Sequence, residues 1–321
     1  MRRSNSILVT GGAGFIGSHL IDRLLEEGHQ VVCLDSFNDY YDPAIKRANV
    51  APHLKHERYR LVEGDIRDAA LVETSFAEHR PEIVVHLAAR AGVRGSLREP
   101  ALYADVNERG TAVVLEAARR HAVRQFIFGS SSSVYGASSA LPFSPDDPAL
   151  QPVSPYAASK RAGELLCYAF HHLYKLNVLC VRFFTVYGPR GRPDMAIYKF
   201  TRAIFASQPI ELYGDGTSRR DYTFVDDIVD GLVRSLGRDF GYEIINLGRS
   251  DTVMLNDLVA LLEEVCERKA TIRRLPEQPG DVPATYADIS KSRLLIGFEP
   301  KVGIRQGVQR FVQWYREQFG V

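Results

Sequence analysis

Thr10-Gly11-Gly12-Ala13-Gly14-Phe15-Ile16-Gly17 follows the apolar run Ser6–Thr10 and opens onto Phe15–Glu27, where apolar residues recur at helical spacing before Gly28. A strand, a Gly-x-x-Gly-x-x-Gly turn and a helix in that order decide the fold. Gly11 permits the tight turn, Gly14 lets backbone approach a pyrophosphate, and Gly17 lets helix pack on strand. Further apolar runs are expected as strands at Gln30–Leu34, Arg60–Glu63, Ile83–Leu87, Gln125–Phe128, Asn177–Phe183 and Glu243–Asn246. Helices are expected between them, at 104–121 and 155–174 among others. Strands alternating with helices imply right-handed crossovers and an α/β fold, a doubly wound (Rossmann) parallel sheet. From about residue 189 the pattern loosens into Pro- and Gly-punctuated loops, with helices expected near 194–207, 226–237, 255–267 and 303–319. The organisation read from this is a dinucleotide-binding domain over 1–188, joined by a returning strand near 243–246. Residues 189–321 form mainly a smaller C-terminal substrate domain.

The second strand ends at Asp35, 18 residues after Gly17. A carboxylate there is placed for ribose hydroxyls and repels a 2′-phosphate, so NAD is expected rather than NADP. Phe15 and Ile16 on the turn, and Ser36 and Asn38 beside Asp35, join the expected cofactor site. Asp65 and Ile66 close the third strand, where Asp65 is suited to the adenine amino group or, alternatively, to capping a helix. Leu87, Ala88 and Ala89 close the fourth strand with small side chains that leave room for a dinucleotide. His86, just before them, is read as a structural histidine. Asn107 is expected either to brace the loops around the cofactor or to bond within its own helix.

Tyr156 and Lys160 are four residues apart and so share a helix face. Ser131 lies 25 positions upstream of Tyr156, behind the apolar run Arg124–Phe128. A phenol ionises near pH ~10, and a neighbouring ammonium favours its charged form. Such a phenol can take a proton from a hydroxyl near neutral pH. The competing reading is a packed Tyr beside a solvated Lys.

Composition excludes several classes. The 40 basic and 39 acidic residues give a net charge of +1, so no overall field draws the chain to nucleic acid or to a membrane surface. The apolar start is broken by Gly11, Gly12 and Gly14, so neither a signal peptide nor a membrane span is expected. The four cysteines show no paired spacing, and Cys33 and Cys180 sit in apolar strand runs. Reduced thiols in a cytoplasmic protein are expected. No metal site is read.

Together the glycine turn, Asp35, Asp65, His86–Ala89, Ser131 and Tyr156-Ala-Ala-Ser-Lys160 resemble the extended short-chain dehydrogenase/reductase superfamily, in its NAD-dependent epimerase/dehydratase branch. The resemblance implies a nucleotide-sugar substrate and tightly bound NAD. It makes Tyr156 the base, has Lys160 lower its pKa and hold the nicotinamide ribose, and has Ser131 hydrogen-bond the reacting O4. In the branch's 4,6-dehydratases the next two positions are Asp and Glu, whereas Ser132 and Ser133 stand here, and a decarboxylase would carry Glu at the second. An epimerase is implied. Ser36–Asp42, Ala91–Arg94, Arg182–Pro189, Gly191–Met195 and Pro279–Pro283 are similar to segments of UDP-glucuronate 4-epimerases. Ser132, Ser133, Thr185 and Arg192 are then expected around the sugar, Arg192 on its carboxylate, with Arg220 at the pyrophosphate and Asp281 at the ribose. Arg190 and Arg90 depart from the subgroup, which carries an aromatic residue and Gln there. The implied reaction converts UDP-glucuronate to UDP-galacturonate. Alternatives are a UDP-glucose or UDP-N-acetylhexosamine epimerase, a decarboxylase and a silent NAD-binding protein. A homodimer is also implied, with Leu165, Leu166, Tyr168 and Leu173 as interface or core.

Overall fold

The structure, a computed structural model, describes residues 4–136, 140–276 and 282–321. Seven parallel strands form the central sheet: β1 (Ser6–Thr10), β2 (Gln30–Asp35), β3 (Tyr59–Glu63), β4 (Ile83–His86), β5 (Gln125–Ser131), β6 (Val178–Phe183) and β7 (Tyr242–Leu247). Their spatial order is β7-β6-β5-β4-β1-β2-β3. Alternation along β1 shows why the sheet is buried on both sides. Ile7 and Val9 join one apolar cluster and Leu8 joins the other, the period-2 geometry of a strand with helices on both faces. Each expected central strand is present, and β5 runs three residues further than expected, carrying Ser130 and Ser131 to its end.

Chain direction across the sheet reverses between β1 and β4, which pair from Ile7↔Ile83 to Thr10↔His86. Carboxyl ends of strands at such a switch point leave a crevice. The returning strand is also real: Tyr242 pairs with Val178 and Leu247 with Phe183. Beyond the main sheet, three small ladders shape the second half: Ile210–Tyr213 with Ile272–Leu275, Thr185–Tyr187 with Tyr222–Phe224, and Arg219–Arg220 with Val253–Met254. None was expected from the sequence.

The helix expected over 104–121 is three pieces. Pro100–Ala104 leads into a π-helical turn, Asp105–Arg109, and then Gly110–Arg120. The Thr111 hydroxyl donates to the Asn107 carbonyl at 2.5 Å, a side-chain bond at the point where the winding widens. The helix Pro155–Tyr174 follows expectation. Ser154 caps it by accepting from the Ala157 N–H, Pro155 fills the first turn, and Lys175 ends it in the left-handed conformation. No helix among the described residues is long and apolar enough to cross a membrane.

Candidate active site

A cavity of about 580 Å³ opens at the switch point. Its floor is the glycine turn. Gly11 has φ +70°, and a Cβ there would stand 2.7 Å from the Ala88 nitrogen, so the turn after β1 can lie against the loop after β4 only because position 11 is glycine. A Cβ on Gly17 would lie 2.4 Å from the Gly11 carbonyl, which makes glycine the residue that lets helix Phe15–Glu26 start so close to the turn. That helix has no side-chain cap and no acidic residue in its first turn. Its N–H groups and positive dipole end are left for an anion. Asp35 closes β2 with its carboxylate fixed by two backbone donors, Ala13 N–H at 3.1 Å and Phe37 N–H at 2.9 Å. Each oxygen keeps a lone pair for a ribose hydroxyl. These features fit a dinucleotide's diphosphate and ribose.

Phe15, Ile16, Ser36 and Asn38 line the same cavity, as do Asp65, Ile66 and Leu87–Ala89. Asp65 does not cap a helix; Asp68 does, accepting from Ala70 and Leu71. The Asp65 carboxylate is instead gripped by Arg67, through its backbone N–H and through Nε and Nη2 at 3.0 and 2.7 Å. Asn107 is not in the cavity wall. Its Oδ1 accepts from Arg90 N–H, while its Nδ2 donates to the Arg90 carbonyl and the Ser159 hydroxyl. It braces the loop after β4 against the Tyr156 helix. His86 is sealed between the Thr10 and Thr111 hydroxyls, and burial lowers its pKa to about 3, as suits a neutral structural imidazole.

Ser131, Ser132, Ser133, Tyr156 and Lys160 meet in the cavity's far half, with Thr185 and Arg192. Ser131 ends β5 and caps the short turn Ser132–Tyr135, its oxygen accepting from the Ser133 N–H. Burial pushes the Tyr156 phenol up, opposed by a hydrogen bond from Ser131 and by the positive charge of Arg192. The Lys160 ammonium, expected to act on the phenol, donates to the Gly129 carbonyl at 2.7 Å and lies over the Phe128 ring. Burial lowers its pKa to about 8. The helix can come this near β5 because of Gly163, where a Cβ would stand 2.3 Å from the Phe128 ring. Beneath it, Glu164 receives Arg182 Nε and Nη2 at 2.8 and 2.9 Å and the Ser130 hydroxyl at 2.6 Å. Glu164 and Arg182 are both fully buried, tying helix to sheet one turn beyond the lysine.

One sequence expectation is absent from the cavity lining, and another is not among the described residues. Arg220 does not line the cavity; its Nη1 donates to the Arg219 and Pro283 carbonyls. Asp281 lies outside the described residues. Arg190 turns away from the cavity to Asp22 and His19 on the helix after the glycine turn. Tyr40, not foreseen, also lines the site, and Tyr103 and Asp194 support lining residues from behind. Tyr40 lies beneath two guanidiniums, with Arg90 and Arg192 at 5.4 and 5.5 Å from its ring centroid. Tyr103 packs edge-on against Tyr156 at 6.3 Å, and Asp194 pairs with Arg192. Tyr40 and Asp194 sat in segments already singled out, but side chains 154 positions apart give no local sign of contact.

The sequence profile described as "NAD dependent epimerase/dehydratase family" matches residues 7–248. A UDP-glucuronate 4-epimerase of Thermodesulfobacterium geofontis is 43% identical over 311 residues, covering 97% of this chain and 96% of that one. The crystal structure of UDP-glucuronic acid 4-epimerase from Bacillus cereus, in complex with UDP-glucuronic acid and NAD, superimposes with a TM-score of 0.92 at 34% identity, covering 98% of this chain and all of that one. A UDP-glucose 4-epimerase from Thermotoga maritima, solved with UDP-glucose, gives 0.90 at 33% identity over 98% of this chain and 99% of its own. With the glycine cradle, Asp35 and the Ser131–Tyr156 pair in one crevice, these likenesses have a single reading: the chain belongs to the NAD-dependent epimerase/dehydratase family.

Proposed function

We propose that the protein interconverts UDP-glucuronate and UDP-galacturonate at C4, with tightly held NAD recycled in each turnover. One observation carries the choice of substrate. Arg192 shares the cavity with the Ser131–Ser133 hydroxyls and with the Tyr156 phenol, whose pKa its charge lowers. A guanidinium beside the reacting centre suits a sugar with a carboxylate at C6. The relatives named UDP-glucuronate 4-epimerase support this reading.

When bound, NAD supplies the hydride acceptor and donor for C4. The chain's own residues do the rest. Gly11–Gly17 and the helix behind them hold the diphosphate, and Asp35 the ribose. Ser131 shares its hydroxyl between O4 and the Tyr156 phenol, which takes the O4 proton and later returns it. Lys160, with further donors besides the one given to Gly129, is placed to hold a ribose hydroxyl. Arg192, Ser132 and Ser133 bind the carboxylate. Held near the ring plane, its C–C bond cannot overlap the ketone π system, which opposes loss of CO2 from the 4-keto acid. Ser132 and Ser133 carry no carboxyl group for eliminating water.

Arg220 and Asp281 are proposed for the UDP pyrophosphate and ribose by family resemblance. Leu165, Tyr168, Leu173 and Tyr174 are exposed on helix Pro155–Tyr174, while Leu166 packs on the core; the exposed four support the homodimer reading. Four buried free cysteines support a reducing, cytoplasmic setting. The test is incubation with UDP-glucuronate and no added cofactor, followed by separation of the isomers. Appearance of UDP-galacturonate is expected. Turnover of UDP-glucose with UDP-glucuronate untouched would refute the substrate, and a Tyr156→Phe variant of undiminished activity would refute the mechanism.

A further inference from the structure

Arg192 is four-fifths buried, and a cation so placed needs an anion beside it. The loop supplies one two residues on. Asp194 Oδ1 accepts from Nε at 3.0 Å and Oδ2 from Nη2 at 2.7 Å, a paired fork. The Tyr40 hydroxyl donates to the same Oδ2 at 3.4 Å, and Arg192 lies over the Tyr40 ring. Asp194 itself is nearly half exposed, so water can take it up whenever it is displaced. Asp194 fills the Nε–Nη2 edge of the guanidinium, so a sugar carboxylate that takes its paired fork from that edge must displace it.

The epimerase reading asks two opposed things of Arg192. It must grip the sugar carboxylate while C4 is oxidised, then release it while the 4-keto ring turns over to present its other face. Release alone would strand a buried cation, a costly state. The pair seen here is the state that avoids it. Resting on that reading, we propose that Asp194 is the resident counter-ion of Arg192, taking over the guanidinium whenever the substrate carboxylate lets go and so setting how readily the intermediate turns. Two carboxylates then compete for one guanidinium, and affinity for the uronate is held down in exchange for turnover.

Asp194→Asn removes the competitor. By isothermal calorimetry, UDP-glucuronate should bind about tenfold more tightly, from loss of like-charge competition, while UDP, which has no carboxylate, stays within about twofold. The kcat should fall about tenfold or more, and borodeuteride quenching should trap a larger share of bound sugar as the 4-keto form. Asp194→Ser should repeat the split, and Asp194→Glu should return both constants to within about threefold of the parent. A purely structural residue would weaken binding and turnover together. Weaker or unchanged UDP-glucuronate affinity in both charge-removing variants overturns the proposal. A parent enzyme that binds UDP-glucuronate without epimerising it overturns the function instead, and the affinity comparison still decides the counter-ion role.

Discussion

Replacing Lys160 with Met should make the cofactor-free protein more stable while destroying its activity. The ammonium is buried against Phe128 with one protein partner, the Gly129 carbonyl. Its pKa is lowered from 10.5 to about 8, by burial above all. Each pH unit of such a shift is worth about 1.4 kcal/mol, so the native state loses about 3 kcal/mol by holding this charge. The sign follows from proton counting. Between pH 8 and 10.5 the unfolded chain binds the proton and the native state does not, so stability attributable to Lys160 rises with pH across that window and its penalty is complete below it. Methionine removes the penalty but leaves the Gly129 carbonyl unpaired, at about 1 kcal/mol. The variant should therefore gain about 2 kcal/mol at pH 7 and nearly nothing at pH 10. Urea unfolding of parent and variant, both stripped of dinucleotide, measures this. The difference between them cancels the titrating groups that do not interact with Lys160. A difference that stays flat from pH 7 to 10, or a parent more stable at pH 7, would refute the reasoning. Activity should drop about a hundredfold or more, the trade expected where a functional residue is held at a cost.

Tyr156→Phe should lower kcat by about 10² to 10⁴ while calorimetry finds UDP-glucuronate affinity within about threefold of the parent. In Arg192→Ala, the loss of a cation that lowers the Tyr156 pKa should move the acid limb of the kcat/KM profile to higher pH, and chromatography should show added UDP-pentose from decarboxylation. Gly163→Ala puts a methyl group into the Phe128 ring and should cost about 1–3 kcal/mol in urea unfolding, with a fall in kcat as Lys160 is pushed from its seat. Glu164→Ala strips Arg182 of its partner in a fully buried pair and should cost about 3–5 kcal/mol, read as a lower unfolding midpoint.

What was legible in the sequence was what is set locally. The glycine turn announces itself because a positive φ at Gly11 and the near contact at Gly17 exclude other residues, and the central strands because each is a short run rich in apolar and β-branched residues. Two-residue ladders such as Arg219–Arg220 carry no period to detect. The i, i+4 spacing placed Tyr156 and Lys160 on one helix face, but the carbonyl that occupies the ammonium arrives from β5, 31 residues away. Asp65 and Asp68 stand equally well before a helix in the sequence, and Arg67, by taking Asp65, separates their roles. Asn107 belonged to a regular helical pattern; the π turn that aims it at Arg90 depends on tertiary contacts. Arg192 was readable as a cation for a carboxylate, but its occupant Asp194 was not, since an Asp two residues on in a loop reads equally as solvated.

The last strand of the sheet is contributed by residues that follow the sugar-side loops, and this constrains how such proteins can be recombined. Severing the chain near residue 188 would strip β7 from β6, baring Val178–Val181 along an unsatisfied edge of the kind that drives chains to stick together. The Gln125 amide would lose Ser235 and Gly237, which it now bridges. Chimeras that exchange substrate preference between relatives should therefore swap the stretch between β6 and β7 as an insert, with both strands left native, and should fail when the entire carboxyl-terminal portion is grafted at one junction.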